Sequence, residues 1–355
     1  MLLRAQRDPI ERRASPLGTP AGAGSAPIEG AGAGPGENVS DDRIVTLNHP
    51  DALSSQSVSR TRDRHGKGNA VKMSRGEFLR WEHKAITLLG MSGVGKTTLA
   101  NKLPKSNWFH YSGDYRIGTR YLAEPIVDNV KRAAMQVPFL RGLLCSDSIY
   151  ISSNITVHNL EPLSTFLGKV GDPSKGGLNC EEFLARQRLH HDAEVNAMRD
   201  VVEFVHKARD IYGYDHFVND AGGSICELDD PETIELLAAH TMIVYIRADE
   251  GMEQEVIRRQ KTHPKPLYYS EPFFRRSLAR YLEEEGLGSP DEIDPDRFVR
   301  WIFPRIVERR RPLYEDIASA CGYTVTAADA ETVRDEQDFI DLVARAIDVE
   351  ASAVA

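Results

Sequence analysis

Residues 86–99 constrain this chain more tightly than any other stretch. Ile86, Thr87, Leu88 and Leu89 run apolar or β-branched into Gly90, and residues 90–97 read Gly-Met-Ser-Gly-Val-Gly-Lys-Thr. The apolar run predicts a buried strand. The glycines predict a tight turn whose backbone N–H groups converge on one point. The helix expected from about Gly95 directs its positive end at that same point. Such a point suits phosphate oxygens, with Lys96 reaching the terminal phosphates and the Thr97 hydroxyl suited to Mg²⁺. Gly90, Ser92, Gly93, Val94, Gly95, Lys96, Thr97 and Thr98 are the expected nucleotide-binding set, for ATP or GTP with Mg²⁺. A chance glycine-rich turn is the bland alternative, and the complete strand–loop–helix pattern argues against it.

The chain has 355 residues, a net charge of −9 and 41% hydrophobic residues. That length suggests two domains, or one enlarged by insertions. The acidic balance argues against a nucleic-acid partner. Cys145, Cys180, Cys226 and Cys321 form no Cys-x-x-Cys pair, so neither a metal site nor a disulfide framework is expected, which fits a reducing cytoplasm. No apolar run approaches the ~18 residues of a membrane span. Oligomeric state has no signature here.

Of residues 15–37, 18 are Gly, Ala, Pro or Ser. Such a segment cannot bury enough apolar surface to offset its ordering entropy, and residues 1–72 are expected to be a disordered extension. Four arginines in residues 1–15 allow a transit peptide, against which Asp8, Glu11 and the Gly/Ala-rich sequel count. Translation from Met73 is another reading.

From residue 73 onward strands and helices alternate. Strands are expected at about 85–89, 108–111, 216–220, 241–246 and 323–326. Helices are expected at about 95–103, 115–135 with a break at Pro125, 181–212, 231–240, 251–263, 273–285, 295–321 and 332–353. Residues 138–179 read as irregular, and 120–212 as a helical insertion on the substrate or partner side. Five strands alternating with helices predict an α/β, three-layer fold with a mostly parallel five-stranded sheet. Asp114 falls at the C-terminal end of the second strand, where ligands sit in open α/β sheets. Arg186, Arg188, His190 and His191 read as a solvated helix face. The two histidines are adjacent and share no face, so zinc is not expected.

The order of these motifs resembles the small P-loop kinases, and the shikimate kinase family in particular. Residues 90–98 match that family's phosphate loop. Asp114 falls where the family places its substrate-contacting Asp, and Ala221-Gly222-Gly223 resembles its substrate-side glycine turn. Arg310-Arg311-Pro312-Leu313-Tyr314-Glu315-Asp316-Ile317-Ala318 resembles a segment whose Arg meets substrate. Lys265-Pro266-Leu267 falls at the family's Arg-Pro-Leu lid, here within residues 258–275. The resemblance implies a nucleoside- and shikimate-kinase-like P-loop NTPase fold and ATP-dependent phosphoryl transfer. Three departures stand out. Ser112-Gly113-Asp114 replaces the usual Asp-x-Asp, the lid Arg is Lys265, and the insertion replaces the compact substrate region. Shikimate is therefore not the expected acceptor.

The expected roles follow. Lys96 holds the β/γ-phosphates, and Thr97 and Asp220 hold Mg²⁺. Asp114 orients an acceptor hydroxyl or a water, and Arg258, Arg259 and Lys265 close a lid over developing charge. Gly222, Gly223 and Arg310 face the substrate, with Arg310 toward an anionic group. Two functions stand at this point. One is a cytoplasmic kinase for a small hydroxylated metabolite, with Arg310 pointing to an anionic one. The other is an ATPase or nucleotide switch acting on a macromolecule. A nucleotide or polynucleotide kinase is a weaker third, the acidic balance counting against long nucleic acids but not mononucleotides.

Overall fold

The computed structural model describes residues 70–354. Most of the expected extension thus lies outside the described residues, but 70–72 are tied to the folded body. The Val71 N–H donates to the Ala238 carbonyl at 2.7 Å, and Lys72 pairs with Glu350 at 2.5 Å.

The strands are β1 (Ala85–Leu89), β2 (Trp108–Ser112), β3 (His216–Asp220), β4 (Met242–Arg247) and β5 (Gly322–Thr326). Helix α1 (Arg75–Arg80) precedes β1, and α2 (Lys96–Asn101) joins β1 to β2. Between β2 and β3 come α3 (Gly113–Arg116), a π turn (Ile117–Tyr121), α4 (Ala123–Ala134), α5 (Pro138–Cys145), α6 (Glu161–Leu167) and α7 (Cys180–Asp210). Helix α8 (Pro231–His240) leads to β4, then α9 (Glu250–Thr262), α10 (Glu271–Glu285) and α11 (Pro295–Cys321) lead to β5. Helices α12 (Ala327–Thr332) and α13 (Glu336–Val354) close the described chain.

All five strands are parallel, in the order β2-β3-β1-β4-β5. Every residue of β1 is buried, as are the first five of β4. That is the signature of strands covered on both faces. The chain runs from β1 to one edge of the sheet, then crosses to the other side for β4 and β5. The carboxyl ends of β1 and its neighbours therefore open onto a crevice, the usual ligand position in such sheets.

Two hydrophobic clusters hold the body. One surrounds the sheet, with Ile86, Leu88, Val218, Ile243 and Val244 fully buried. The other lies between α7, α10 and α11, where Phe183, Phe274, Tyr281 and Phe298 pack edge to face or tilted. Each such side chain contributes about 1.5–3 kcal/mol when fully buried. Helix α7 has 31 residues and a length of ~46 Å. Phe183 and Leu184 near its start belong to the second cluster, and Met198, Val201 and Ala208 near its end belong to the sheet cluster. The C-terminal half of the expected insertion is thus part of the sheet's own packing.

Three expectations need correction, all through prolines or caps. Residues 138–179 are not uniformly irregular. Pro138 opens α5, and Pro162 sits in the first turn of α6, where a missing N–H breaks no helical bond. The break expected at Pro125 falls earlier, at the π turn and Leu122, and Pro125 lies in the first turn of α4. The closing helix expected from 332 begins later, at Glu336. Thr332 ends α12, and the Asp335 side chain caps α13 by accepting from the Asp338 N–H at 3.0 Å. Helix α11 runs over its whole expected span, through Pro304 and Pro312. The ~3 kcal/mol penalty of an interior proline is offset there by buried Phe298, Ile302, Ile306 and Tyr314.

Candidate active site

The loop between β1 and α2 begins at Gly90, whose φ is 146°. A Cβ there would also lie 2.9 Å from the Ile246 carbonyl and 2.9 Å from Val94 Cγ2, so only glycine fits. Gly93 and Gly95 also take positive φ, and Val94 and Met91 anchor the loop in the core. Buried Lys96 reaches back across the loop, its Nζ donating to Gly90 O at 2.6 Å and Met91 O at 3.2 Å. Burial lowers the Lys96 pKa, while Asp220, Asp114 and Glu194 work against that shift. Thr97 Oγ1 donates to Asp220 Oδ2 at 2.5 Å. Asp220 is the last residue of β3, and burial raises its pKa against the pull of Lys96 and Thr97. Thr98 is exposed on α2.

Asp114, in α3 immediately past β2, faces the same space. Burial and the neighbouring Asp220 push its carboxyl up to about 6, with Lys96 opposing. A second carboxylate stands beside it. Glu194, midway along α7, is fully buried. Burial pushes it up to about 7, with Ser224 opposing and Asp114 adding. Ser224 Oγ donates to Glu194 Oε2 at 2.5 Å, whereas Oε1 has no hydrogen-bond partner among the described residues. Gly222 fits because it lacks a Cβ, which would lie 2.3 Å from Glu194 Oε1 and 3.4 Å from Asp114 Oδ1. Both carboxylates thus pack against Gly222. At Gly223, a Cβ would lie 2.2 Å from Ser92 Oγ and 2.8 Å from Ser92 N, so this turn abuts the phosphate loop directly.

Arg310 is buried and fully engaged. It donates to Glu227 Oε2, to Gly223 O and to Tyr268 O, each at 2.9 Å. Burial opposes its charge, but Glu227 and Cys226 hold its pKa above the ordinary value. Arg309 donates to the other Glu227 oxygen at 2.8 Å. Arg310 therefore clamps the glycine turn to the segment after α9. Replacing it by Met is expected to destabilise the fold by about 3–5 kcal/mol, because Glu227 loses one buried partner and two carbonyls lose donors. Chemical denaturation measures this, and an unchanged midpoint would refute the clamp.

The expected solvated face of α7 is corrected in part. Arg188 is exposed and pairs with Glu271, but His190 and Arg186 are buried. Arg186 donates to Phe166 O and Asn129 Oδ1, both at 2.7 Å. The His190 ring stacks on Tyr268, 5.4 Å between centroids, and burial and Arg310 push its pKa down to about 4. Phe183, Arg186, Gln187, His190, Glu194, Ala197, Met198 and Val201 form one buried face at helical spacing. Polar residues inside an apolar stripe are the signal that would have found Glu194.

The cations expected at a lid lie apart from this cluster. Arg258 and Arg259 pair with Glu255 on the exposed side of α9, and Lys265 is exposed. No hydrogen bond joins any of the three to Lys96, Asp114 or Asp220 among the described residues. The following segment is pinned, with Gln187 accepting from the Tyr269 N–H at 2.9 Å. Val256 of α9 does reach the loop, 3.4 Å from a Cβ placed on Gly93.

No family model matches the chain, and no curated protein matches it. Among solved structures, shikimate kinase from Bacteroides thetaiotaomicron aligns over 76% of this chain and 98% of its own, at 16% identity and a TM-score of 0.33. Shikimate kinase from Acinetobacter baumannii in complex with shikimate aligns over 79% and 98%, at 13% identity and a TM-score of 0.33. Neither substrate nor residue roles carry over at that level. The functional reading rests on the loop and the carboxylates around it.

Proposed function

We propose that this chain is a P-loop phosphotransferase, moving the γ-phosphate of ATP to a hydroxyl of a small molecule. The observation that carries the reading is the placement of Asp114 beside Lys96 of the phosphate loop. A carboxylate on the acceptor side of a nucleotide loop is what hydroxyl phosphorylation needs. The all-parallel sheet with the loop at its central strand supports a P-loop NTPase-like fold.

Each residue then has a task. The loop N–H groups cradle the phosphates, and Lys96 leaves its two carbonyls to hold the β/γ-phosphates. Thr97 and Asp220, already joined, form the donor set that fits Mg²⁺. When bound, that ion neutralises charge on the phosphate oxygens. Asp114 orients the acceptor hydroxyl and takes its proton. The hydroxyl oxygen bonds to the γ-phosphorus, the bond from that phosphorus to the bridging oxygen breaks, and ADP leaves with the electron pair. Gly222 and Gly223 shape the acceptor side, and Arg310 holds them. Arg259 must leave Glu255, and Lys265 must turn inward, before either meets the transferring group.

Turnover of ATP by the full chain against a panel of hydroxylated metabolites tests the reading. Asp114→Asn is expected to reduce acceptor-dependent ADP formation by ~10²–10⁴-fold while ATP analogue binding persists. Acceptor-independent hydrolysis that Asp114→Asn leaves intact would favour the second reading, an ATPase or switch with a macromolecular partner. The exposed apolar residues Phe139 and Tyr150, 72% and 88% accessible on and after α5, favour that alternative.

A further inference from the structure

Asp114 stands in α3, a helix of only four residues. A single turn is unfavourable by itself, since its first hydrogen bond fixes several dihedrals. Its place is therefore set by what packs around it. We infer that Asp200, on α7, is the positioning residue that holds Asp114 at the phosphate loop, acting through Arg116 and Tyr121 at the two ends of the π turn. The inference rests on the phosphotransferase reading.

The donors after Asp114 end on one oxygen. Arg116 Nε donates to Asp200 Oδ2 at 2.7 Å, and Arg116 Nη2 lies 2.7 Å from the same atom. Tyr121 Oη donates to it at 2.7 Å as well. Arg116 and Tyr121 are five residues apart, a spacing that an α-helix turns to different faces. The π turn removes that divergence. The Leu122 N–H bonds Ile117 O at 2.8 Å across five residues, and the widened turn brings both side chains to one side, over α7. The Arg116 guanidinium also lies over the Phe204 and Tyr121 rings, 5.0 and 5.8 Å from their centroids. At 25% and 19% exposure the Arg116–Asp200 pair is sheltered, so water and salt screen it less than the exposed pairs of α9 and α10.

The chain before Asp114 meets the same helix. Tyr111 Oη donates to Ala197 O at 2.5 Å. A Cβ on Gly113 would lie 2.7 Å from Met198 Cε, 3.3 Å from Gly222 N and 3.4 Å from Asp220 O, so α3 begins in the narrow space between α7 and the end of β3. Helix α7 gives a fixed reference here, because Ala197, Met198 and Val201 are fully buried in the sheet cluster. Asp114 is thus flanked by two attachments to one helix, through Ala197 and Met198 before it and Asp200 after it. Among the described residues no hydrogen bond joins Asp200 to Lys96, Asp114 or Asp220, so its action on the site is one of placement.

The test is a double-mutant cycle on the full chain, with Mg-ATP and the panel of hydroxylated metabolites. Asp200→Asn is expected to lower kcat for acceptor-dependent ADP formation by about 10–10²-fold and to leave the ATP KM unchanged. In the Asp114→Asn background the same substitution should cost nothing further, because the group it positions is gone. A general loss of folded protein would instead lower turnover by the same factor in both backgrounds. If Asp200→Asn does not fold, Arg116→Lys carries the same cycle, since an ammonium keeps the charge and loses the planar fork. An unchanged kcat, equal losses in both backgrounds, or a loss confined to the ATP KM would overturn the role of Asp200 and leave the phosphotransferase reading standing. If the chain only hydrolyses ATP, the phosphotransferase reading falls, and the same cycle read on hydrolysis decides the role of Asp200. Hydrolysis indifferent to Asp114→Asn, or no ADP formation at all, would overturn both.

Discussion

Lys96→Ala is expected to reduce ATP turnover by about 10³-fold and to leave the chain folded. The size of the loss follows from position. Lys96 is the cation of the loop itself, buried against Gly90 O and Met91 O and facing Asp114, Asp220 and Glu194. No neighbour can replace it, because Arg310 is locked by Glu227 and its two carbonyls. Folding should survive because burial already disfavours the Lys96 charge. Truncation removes that penalty together with two backbone bonds. Turnover of the variant against the panel of hydroxylated metabolites, paired with circular dichroism, measures both halves. Wild-type turnover in Lys96→Ala would refute the assignment of residues 90–98 as the phosphate loop.

Glu194→Gln is expected to be more stable than the wild type at pH 8 by about 3 kcal/mol, with little difference at pH 4.5. The sign follows from the direction of the shift. The folded carboxyl sits at about 7, above its ordinary 4.5. Below 4.5 it is protonated in both states and contributes no pH dependence. Between 4.5 and 7 the unfolded chain releases the proton while the folded chain keeps it, so stability falls as pH rises. Above 7 the full penalty of a buried charge is in place. Glutamine carries no such penalty and can still accept from Ser224. Asp114, pushed up to about 6, titrates alongside, so the wild-type curve reports the pair. Denaturant midpoints of both proteins at pH 5 and pH 8 measure the effect, and parallel curves would refute it.

The sequence carried some parts of this molecule in full and hid others for definite reasons. Strand β1 and its loop were legible because composition and spacing there leave one solution. Helix α11 was legible because Asp294 caps it ahead of Pro295 and an apolar period runs through both of its interior prolines. Helices α5 and α6 were hidden because a proline in a first turn and a proline that breaks a helix look alike in one sequence. Glu194 and His190 were hidden because a long, imperfect stripe tolerates polar residues on either face, and burial is decided by what packs opposite. Glu227 was the least visible. It lies in a short turn (Ile225–Glu227) without periodicity, and its importance comes from Arg310, 83 residues away.

In the phosphotransferase proposed above, the abutment of Gly223 on Ser92 would tie acceptor and nucleotide together. The Gly222-Gly223 turn and the loop of residues 90–97 share one wall. Neither can shift without displacing the other. On that reading, the conformation that ATP selects is also the one the acceptor meets, and the free energy of binding one depends on the presence of the other. By linkage the coupling is mutual: whatever factor ATP applies to acceptor affinity, the acceptor applies to ATP.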